Sequence, residues 1–163
     1  MKRAIILLLI ISTGAVYGQK CKYKVNQEDP MTGVKKLMTE FIIDNCRFNM
    51  LRSGDKFEFK ATYYLDNERN VIIPKGRELS LRLSDGTLIK LLSSKDAPPV
   101  SKAVGGSVST HYIVMYNVDK ATMEKIKEQG IVAASTQLDS EWVRKVKEKQ
   151  TEKSKNAARC LLL

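Results

Sequence analysis

The side chains best suited to chemistry in this chain are a cysteine and its only histidine, Cys46 and His111. A thiol beside an imidazole can act as a nucleophile that a general base activates, so this pair is one hypothesis for catalysis. The flanking sequences, DNCRF and STHYI, match no protease signature. A lone histidine at the start of a strand is more often structural, and that is the alternative for His111.

A second set of candidates is the carboxylate pair Glu40 and Asp44, which could serve glycoside hydrolysis. Solvent-facing charge on a strand explains the same residues equally well. No two cysteines have metal-ligand spacing, and one histidine cannot complete a zinc site. The chain also has no GxxxxGK[ST] phosphate loop. We therefore expect neither a metal nor a cofactor.

The first residues of the chain have the three-part pattern of a secretory signal. A Lys-Arg start precedes eight apolar residues at 4–11, and Val16 and Gly18 satisfy the small-residue rule for cleavage before Gln19. The pattern predicts a signal peptide over residues 1–18 and an exported protein, periplasmic or extracellular. The apolar run is far shorter than the roughly 18–20 residues that span a bilayer, so no transmembrane segment is expected after cleavage.

The last four residues, CLLL, have the pattern of a prenylation box behind a lysine-rich run. Prenyl transfer takes place in the cytosol, where an exported chain would not meet the enzyme. We therefore interpret Leu161–Leu163 as an apolar tail that packs on the domain or frays.

All three cysteines, Cys21, Cys46 and Cys160, lie beyond the predicted cleavage site. An oxidising compartment favours one disulfide and one remaining thiol, and three pairings are open. Cys46 lies in a strand-like run and could be a small buried apolar group. We favour Cys21–Cys160, because a bond that closes so long a loop is worth on the order of 4–5 kcal/mol in the chain-entropy model.

The charge of the chain is strongly positive. The net charge is +10, and removal of Lys2 and Arg3 with the signal leaves +10 − 2, about +8. This charge favours an unknown envelope or extracellular partner of acidic character: anionic lipid, acidic polysaccharide or an acidic protein. Simple solubility is the alternative, because the lysines are interspersed with acidic residues. We expect no nucleic acid, since the chain has neither an RNP-like aromatic run nor zinc-finger spacing.

The regular elements follow from periodicity. Residues 56–65 alternate apolar and polar side chains and predict the clearest strand. The segment LSLRLSDGTLIKLL predicts a hairpin with a two-residue turn at Asp85–Gly86, in which Gly86 has positive φ. Near 119–129 a helix is predicted, with Asp119 as its N-cap and Gly130 as its stop.

A second helix is expected over about 139–159, with a charged middle and then the apolar tail. The strand–helix–strand unit at 111–136 could add one parallel pair. In total the chain predicts a single α+β domain over residues 19–163. Its sheet or sandwich is mostly antiparallel, with six to eight short strands and helices to one side.

The longest stretch without predicted structure is SSKDAPPVSKAVGGSV, near residues 94–107. Long loops on a rigid sheet often carry binding sites. The candidate binding residues here are Lys95, Lys102, Gly105 and Gly106. Plain disorder is the alternative.

Three segments together carry a resemblance to known proteins: CKYKVNQEDPMTG, GRELSLRLSDGTLIKLL and YIVMYNVDKATMEKIKEQGI. With these the chain resembles small exported proteins of unknown function from Bacteroidetes-type bacteria. The shared motifs are a turn, a hairpin and a helix cap. The resemblance implies bacterial export and no particular activity.

The leading functional hypothesis is a small exported protein of the cell envelope, with a binding or structural role and no catalytic activity. The alternatives are a secreted enzyme that uses Cys46 and His111, and a secreted inhibitor or effector.

Overall fold

The structure is a computed structural model that describes residues 21–104, 106–138 and 140–163. The predicted signal peptide and its cleavage site lie outside these residues. Within them the chain forms ten strands and two helices: β1 Val25–Glu28, β2 Lys35–Ile43, β3 Cys46–Ser53, β4 Lys56–Asp66, β5 Glu78–Leu83, β6 Leu88–Leu92, β7 Val100–Val104, β8 Ser107–Val118, α1 Lys120–Gln129, β9 Ile131–Gln137, β10 Glu141–Lys145 and α2 Glu148–Leu162.

The strands form two sheets, one of six strands in the order β1-β2-β3-β4-β8-β7 and one of four in the order β10-β9-β5-β6. Every strand pair in the described part of the chain is antiparallel. The predicted α+β, mostly antiparallel class is confirmed. The predicted number of six to eight strands is wrong, because the described residues form ten strands in two sheets. The expected parallel pair is wrong, because β8 and β9 belong to different sheets and α1 connects them.

The core lies where the inner faces of the sheets meet, and period-two alternation determines which side chains enter it. On β4 the side chains of Phe57, Phe59 and Tyr63 are buried. The Phe48 ring lies 6.1 Å from that of Phe59, edge to face, and the Tyr63 ring meets Trp142 in the same way at 5.3 Å. Trp142 belongs to the four-stranded sheet, so this aromatic contact joins the two layers.

The helix α1 confirms the prediction made from its caps. The Asp119 carboxylate accepts a hydrogen bond from the Thr122 N–H at 2.6 Å, and Met123 and Ile126 form its buried face. At the other end the Gly130 N–H donates to the Ile126 carbonyl at 2.8 Å.

The predicted helix from residue 139 is wrong in its first part. Residues Glu141–Lys145 form β10, and α2 begins only at Glu148. Trp142 is buried while Val143 is half exposed, which is the alternation of a strand. Pairing with β9 satisfies the backbone here, and a helix would have placed Trp142 and Val143 on neighbouring faces.

The helix α2 packs against β2, β3, β9 and α1 and closes one open side between the sheets. The charged middle predicted for this helix also contains two buried residues, Thr151 and Ser154. The Ile131 N–H donates to Ser154 Oγ at 2.9 Å, and Thr151 Oγ1 donates to the Ile131 carbonyl at 2.9 Å. The helix therefore holds the first residue of β9. Of the predicted apolar tail, Leu161 is fully buried and Leu162 is partly buried against the core, whereas Leu163 is exposed. The tail therefore packs on the domain through its first two residues only.

Two loop predictions need correction. The stretch near 94–107 contains the edge strand β7, which pairs with β8. The predicted two-residue turn between β5 and β6 is wrong. The Leu83 N–H donates to the Thr87 carbonyl at 2.9 Å, so the turn that this bond closes has three residues, 84–86. The positive φ predicted for Gly86 is confirmed at 87°.

Neither α1 nor any other helix in residues 21–104, 106–138 and 140–163 is both long and apolar enough to cross a membrane.

Candidate functional site

The structure places Cys46 and His111 on opposite faces of the six-stranded sheet. Cys46 is opposite Tyr63, and Tyr63 is opposite Tyr112, so these three residues share the buried face. His111 is the neighbour of Tyr112 on β8 and therefore projects from the other face, where its ring lies 5.4 Å from that of Tyr64. A nucleophile and its base need direct hydrogen-bonding reach, which this arrangement does not provide.

The environment of Cys46 also disfavours a reactive thiolate. The side chain is fully buried, and this burial raises the pKa of the Cys46 thiol well above its ordinary value, although a backbone hydrogen bond with Thr62 opposes the shift.

The carboxylates Glu40 and Asp44 bind separate cations. Glu40 lies 3.2 Å from Lys24 Nζ and 3.4 Å from Arg47 Nε, and Asp44 lies 2.7 Å from Arg144 Nε. Both carboxylates are therefore engaged in ion pairs with different partners.

The loop candidates lie between the end of β6 and the start of β8. Lys95 is exposed after β6, Lys102 is exposed on the edge strand β7, and Gly106 lies in the β7–β8 turn with φ of 84°. Gly105 lies outside the described residues. Neither lysine lines the two clefts described below. As for metals, the described ranges contain no group of three or more His, Cys, Asp or Glu residues that could hold an ion.

The disulfide between Cys21 and Cys160 marks the position of a different candidate site. The Sγ atoms of Cys21 and Cys160 are 2.09 Å apart, at disulfide distance, and Cys46 is the one free cysteine of the described chain. Beside the bond, the Tyr23 hydroxyl donates to the Cys160 carbonyl at 2.8 Å. The segment before β1 is thus attached to the last turns of α2.

A cleft of about 590 Å³ lies next to this junction, between the segment before β1, the β2 edge and α2. We call it the basic cleft. Its charged side chains are four cations, Lys22, Lys24, Lys153 and Arg159, and one carboxylate, Glu40. Asn156 adds an amide.

The cleft exists because β1 stops pairing with β2 early. In the described residues, the outermost backbone hydrogen bond between this segment and β2 runs from the Lys24 N–H to the Met38 carbonyl, at 2.7 Å. Before Lys24 the chain turns away toward Cys160, which leaves the β2 edge at Glu40 uncovered. The α2 wall presents Lys153, Asn156 and Cys160, whose spacing places them on one helix face.

Positive charge predominates in the basic cleft. Its single carboxylate, Glu40, is shared between Lys24 inside the cleft and Arg47 outside it. Within the described residues Lys22 and Lys153 form no ion pair. An anionic group that enters the cleft would therefore meet ammonium groups from two walls.

Sequence reasoning missed this site, because its cations come from the two ends of the chain. The favoured Cys21–Cys160 pairing was the signal that could have found it, since this bond brings Lys22 and Lys24 close to Lys153 and Arg159. Comparison of the chain with protein-family models, with curated proteins and with solved structures gives no match.

Proposed function

We propose that this protein is a small exported binding protein of the cell envelope, and that the basic cleft holds an acidic saccharide. The observation that carries the proposal is the meeting of Lys22 and Lys24 with Lys153 and Arg159 around one cleft. Three lysines against one shared carboxylate favour an anionic ligand.

The shape of the site favours a saccharide over a membrane surface. The cations line a recess of about 590 Å³, which a single sugar unit or two could enter. A bilayer would need an exposed, flat basic surface instead. Asn156 adds an amide that can both donate to and accept from hydroxyl groups. An acidic sugar offers carboxylates that can pair with the cations and hydroxyls that can bond with the Asn156 amide.

Export to an oxidising compartment agrees with the signal-like start of the chain and with the disulfide distance between Cys21 and Cys160. A binding role agrees with the charge and volume of the basic cleft.

Calorimetric titration of residues 19–163 tests the proposal. Oligogalacturonate is the acidic saccharide, and a dextran oligomer of equal length is the neutral control. Oligogalacturonate should bind, more weakly as salt rises, while dextran should not. Lys22→Gln and Lys153→Gln should each weaken binding about fivefold, as expected when an ion pair worth about 1 kcal/mol is lost. Lys56→Gln, an exposed lysine on β4, is the matched control and should leave affinity unchanged.

Equal binding of both saccharides, or an equal loss in Lys56→Gln, would contradict the proposal. A second titration, with lipid vesicles, distinguishes an acidic saccharide from an anionic membrane as the ligand. Binding to phosphatidylglycerol vesicles without binding to oligogalacturonate would assign the cleft to lipid instead.

A further inference from the structure

A second recess lies on the four-stranded sheet, at the end where β5 and β10 begin and β9 ends. It is a groove of about 360 Å³. Its floor carries Ser80 and Ser135, which are directly opposite each other in the β5–β9 ladder. Lys75 and Arg77 line one side, and Glu141 lines the other.

The cationic side is held in place by backbone hydrogen bonds. The Lys75 N–H donates to Asp96 Oδ1 at 2.7 Å, and the Arg77 N–H donates to Ser93 Oγ at 2.9 Å. Between them Gly76 leaves open space, because a Cβ there would meet nothing within 4 Å. On the acidic side, Glu141 is paired in register with Gln137, whose side chain also lines the groove.

The charges on the two sides remain unneutralised. In the part of the chain that the structure describes, Lys75, Arg77 and Glu141 take part in no ion pair, with each other or with any neighbour. The other groove carboxylate, Glu78, is already engaged by Lys90 Nζ at 3.2 Å. Opposite charges thus border one groove without meeting.

The separation of the two sides sets the size of a ligand that could bridge them. Strands β5 and β10 are two places apart in the sheet, with β9 between them. At about 4.8 Å between neighbouring strands, the distance is roughly 10 Å. An extended peptide of three residues spans roughly 10 Å.

We propose that this groove binds a short peptide of two or three residues with free ends. The peptide carboxylate lies against Lys75 and Arg77, and the peptide ammonium lies against Glu141. Ser135 and Gln137 receive the peptide amides along the floor. This site is separate from the basic cleft and does not depend on its function.

Trialanine is the probe, compared with N-acetyl-trialanine, trialanine amide and the doubly capped peptide. Binding to residues 19–163 is followed by calorimetry and by the amide NMR signals of Ser80, Ser135 and Gln137. Trialanine should shift these signals, and each cap should weaken binding about fivefold, the size of one lost ion pair. Glu141→Gln should weaken the binding of trialanine by the same factor of about five. It should not further weaken the binding of the acetylated peptide, which has already lost its ammonium group. Arg77→Gln should show the same pattern with the amidated peptide.

Glu128→Gln, an exposed position on α1, is the matched control and should leave binding unchanged. Lys153→Gln in the basic cleft should also leave trialanine binding unchanged. A failure of the saccharide proposal can therefore be distinguished from a failure of the peptide proposal. The inference is overturned if the doubly capped peptide binds as tightly as trialanine. It is also overturned if none of the three amide signals moves at about 10 mM trialanine, a concentration that would largely saturate a site with a Kd of about 1 mM. A third contradicting result would be a Glu141→Gln variant that has the NMR spectrum of a folded protein and binds the free and the acetylated peptide with the same loss of affinity.

Discussion

The end of α1 lies so close to α2 that a Cβ on Gly130 would be 2.8 Å from Cγ2 of Thr151. Gly130 has φ of 72° and ψ of 163°, a region that essentially only glycine occupies. Directly after it, Thr151 Oγ1 binds the Ile131 carbonyl at 2.9 Å. The turn into β9 is therefore fixed by both backbone conformation and contact with α2.

Gly130→Ala should lower the free energy of unfolding by about 2–4 kcal/mol, because backbone strain and a steric clash act together. Gly86→Ala is the matched control, since Gly86 also has positive φ but a Cβ there would meet nothing within 4 Å. It should cost only about 1 kcal/mol. Urea unfolding measures both, and equal losses would show that the Thr151 contact is unimportant.

Asp119→Ala should destabilise the protein by about 1 kcal/mol, the usual effect of losing an N-cap. The hydrogen bond from the Thr122 N–H lowers the pKa of the Asp119 carboxyl in the folded state. The stabilisation is thus complete above the unfolded pKa, near 4, and is lost as pH falls through the lower folded pKa. Unfolding curves at pH 7 and pH 2.5 should show a smaller wild-type advantage over Asp119→Ala at pH 2.5 than at pH 7. An advantage of the same size at both pH values would argue against a carboxylate cap.

Cys46 should not react with a thiol reagent in the native, oxidised protein at pH 8. Burial both blocks access and raises the pKa of its thiol. Addition of denaturant without reductant should release one reactive thiol, read from the absorbance of the reagent's product. Immediate reaction in the native state would restore Cys46 as a nucleophile candidate.

Cys21→Ser should lower the free energy of unfolding by roughly 2–5 kcal/mol, since the bond to Cys160 closes a loop of 139 residues in sequence separation. It should also weaken binding of oligogalacturonate, because Lys22 would no longer be held beside α2. Lys24 stays anchored through its bond to Met38, so some affinity should remain. Unchanged affinity in this variant would mean that Lys22 contributes nothing to the cleft.

Elements with a strong local pattern were predictable from the sequence. The alternation of Phe57, Phe59 and Ala61 marked β4, and the caps Asp119 and Gly130 marked α1. The choice of Cys21–Cys160 among three pairings used only their positions near the ends of the chain, and their distance agrees with it.

Short edge strands could not be predicted in the same way. The segments of β7 and β10 have five residues each, too few for periodicity to separate strand from helix or loop. Their structure depends on pairing with β8 and β9, which is a tertiary effect. The basic cleft was missed for a related reason, because Lys24 and Lys153 are neighbours only after the sheets and α2 have assembled.

The attachment of Cys21 to Cys160, with 5.6 Å between their Cα atoms, makes the folded domain a covalent ring. A single proteolytic cut in the β3–β4 hairpin at Gly54–Asp55 would open the ring without dividing the molecule into two pieces. The order in which the strands follow one another could also be changed. A short linker from Leu163 to Cys21, with new ends at Gly54–Asp55, would give a circularly permuted chain whose strands keep their places in both sheets.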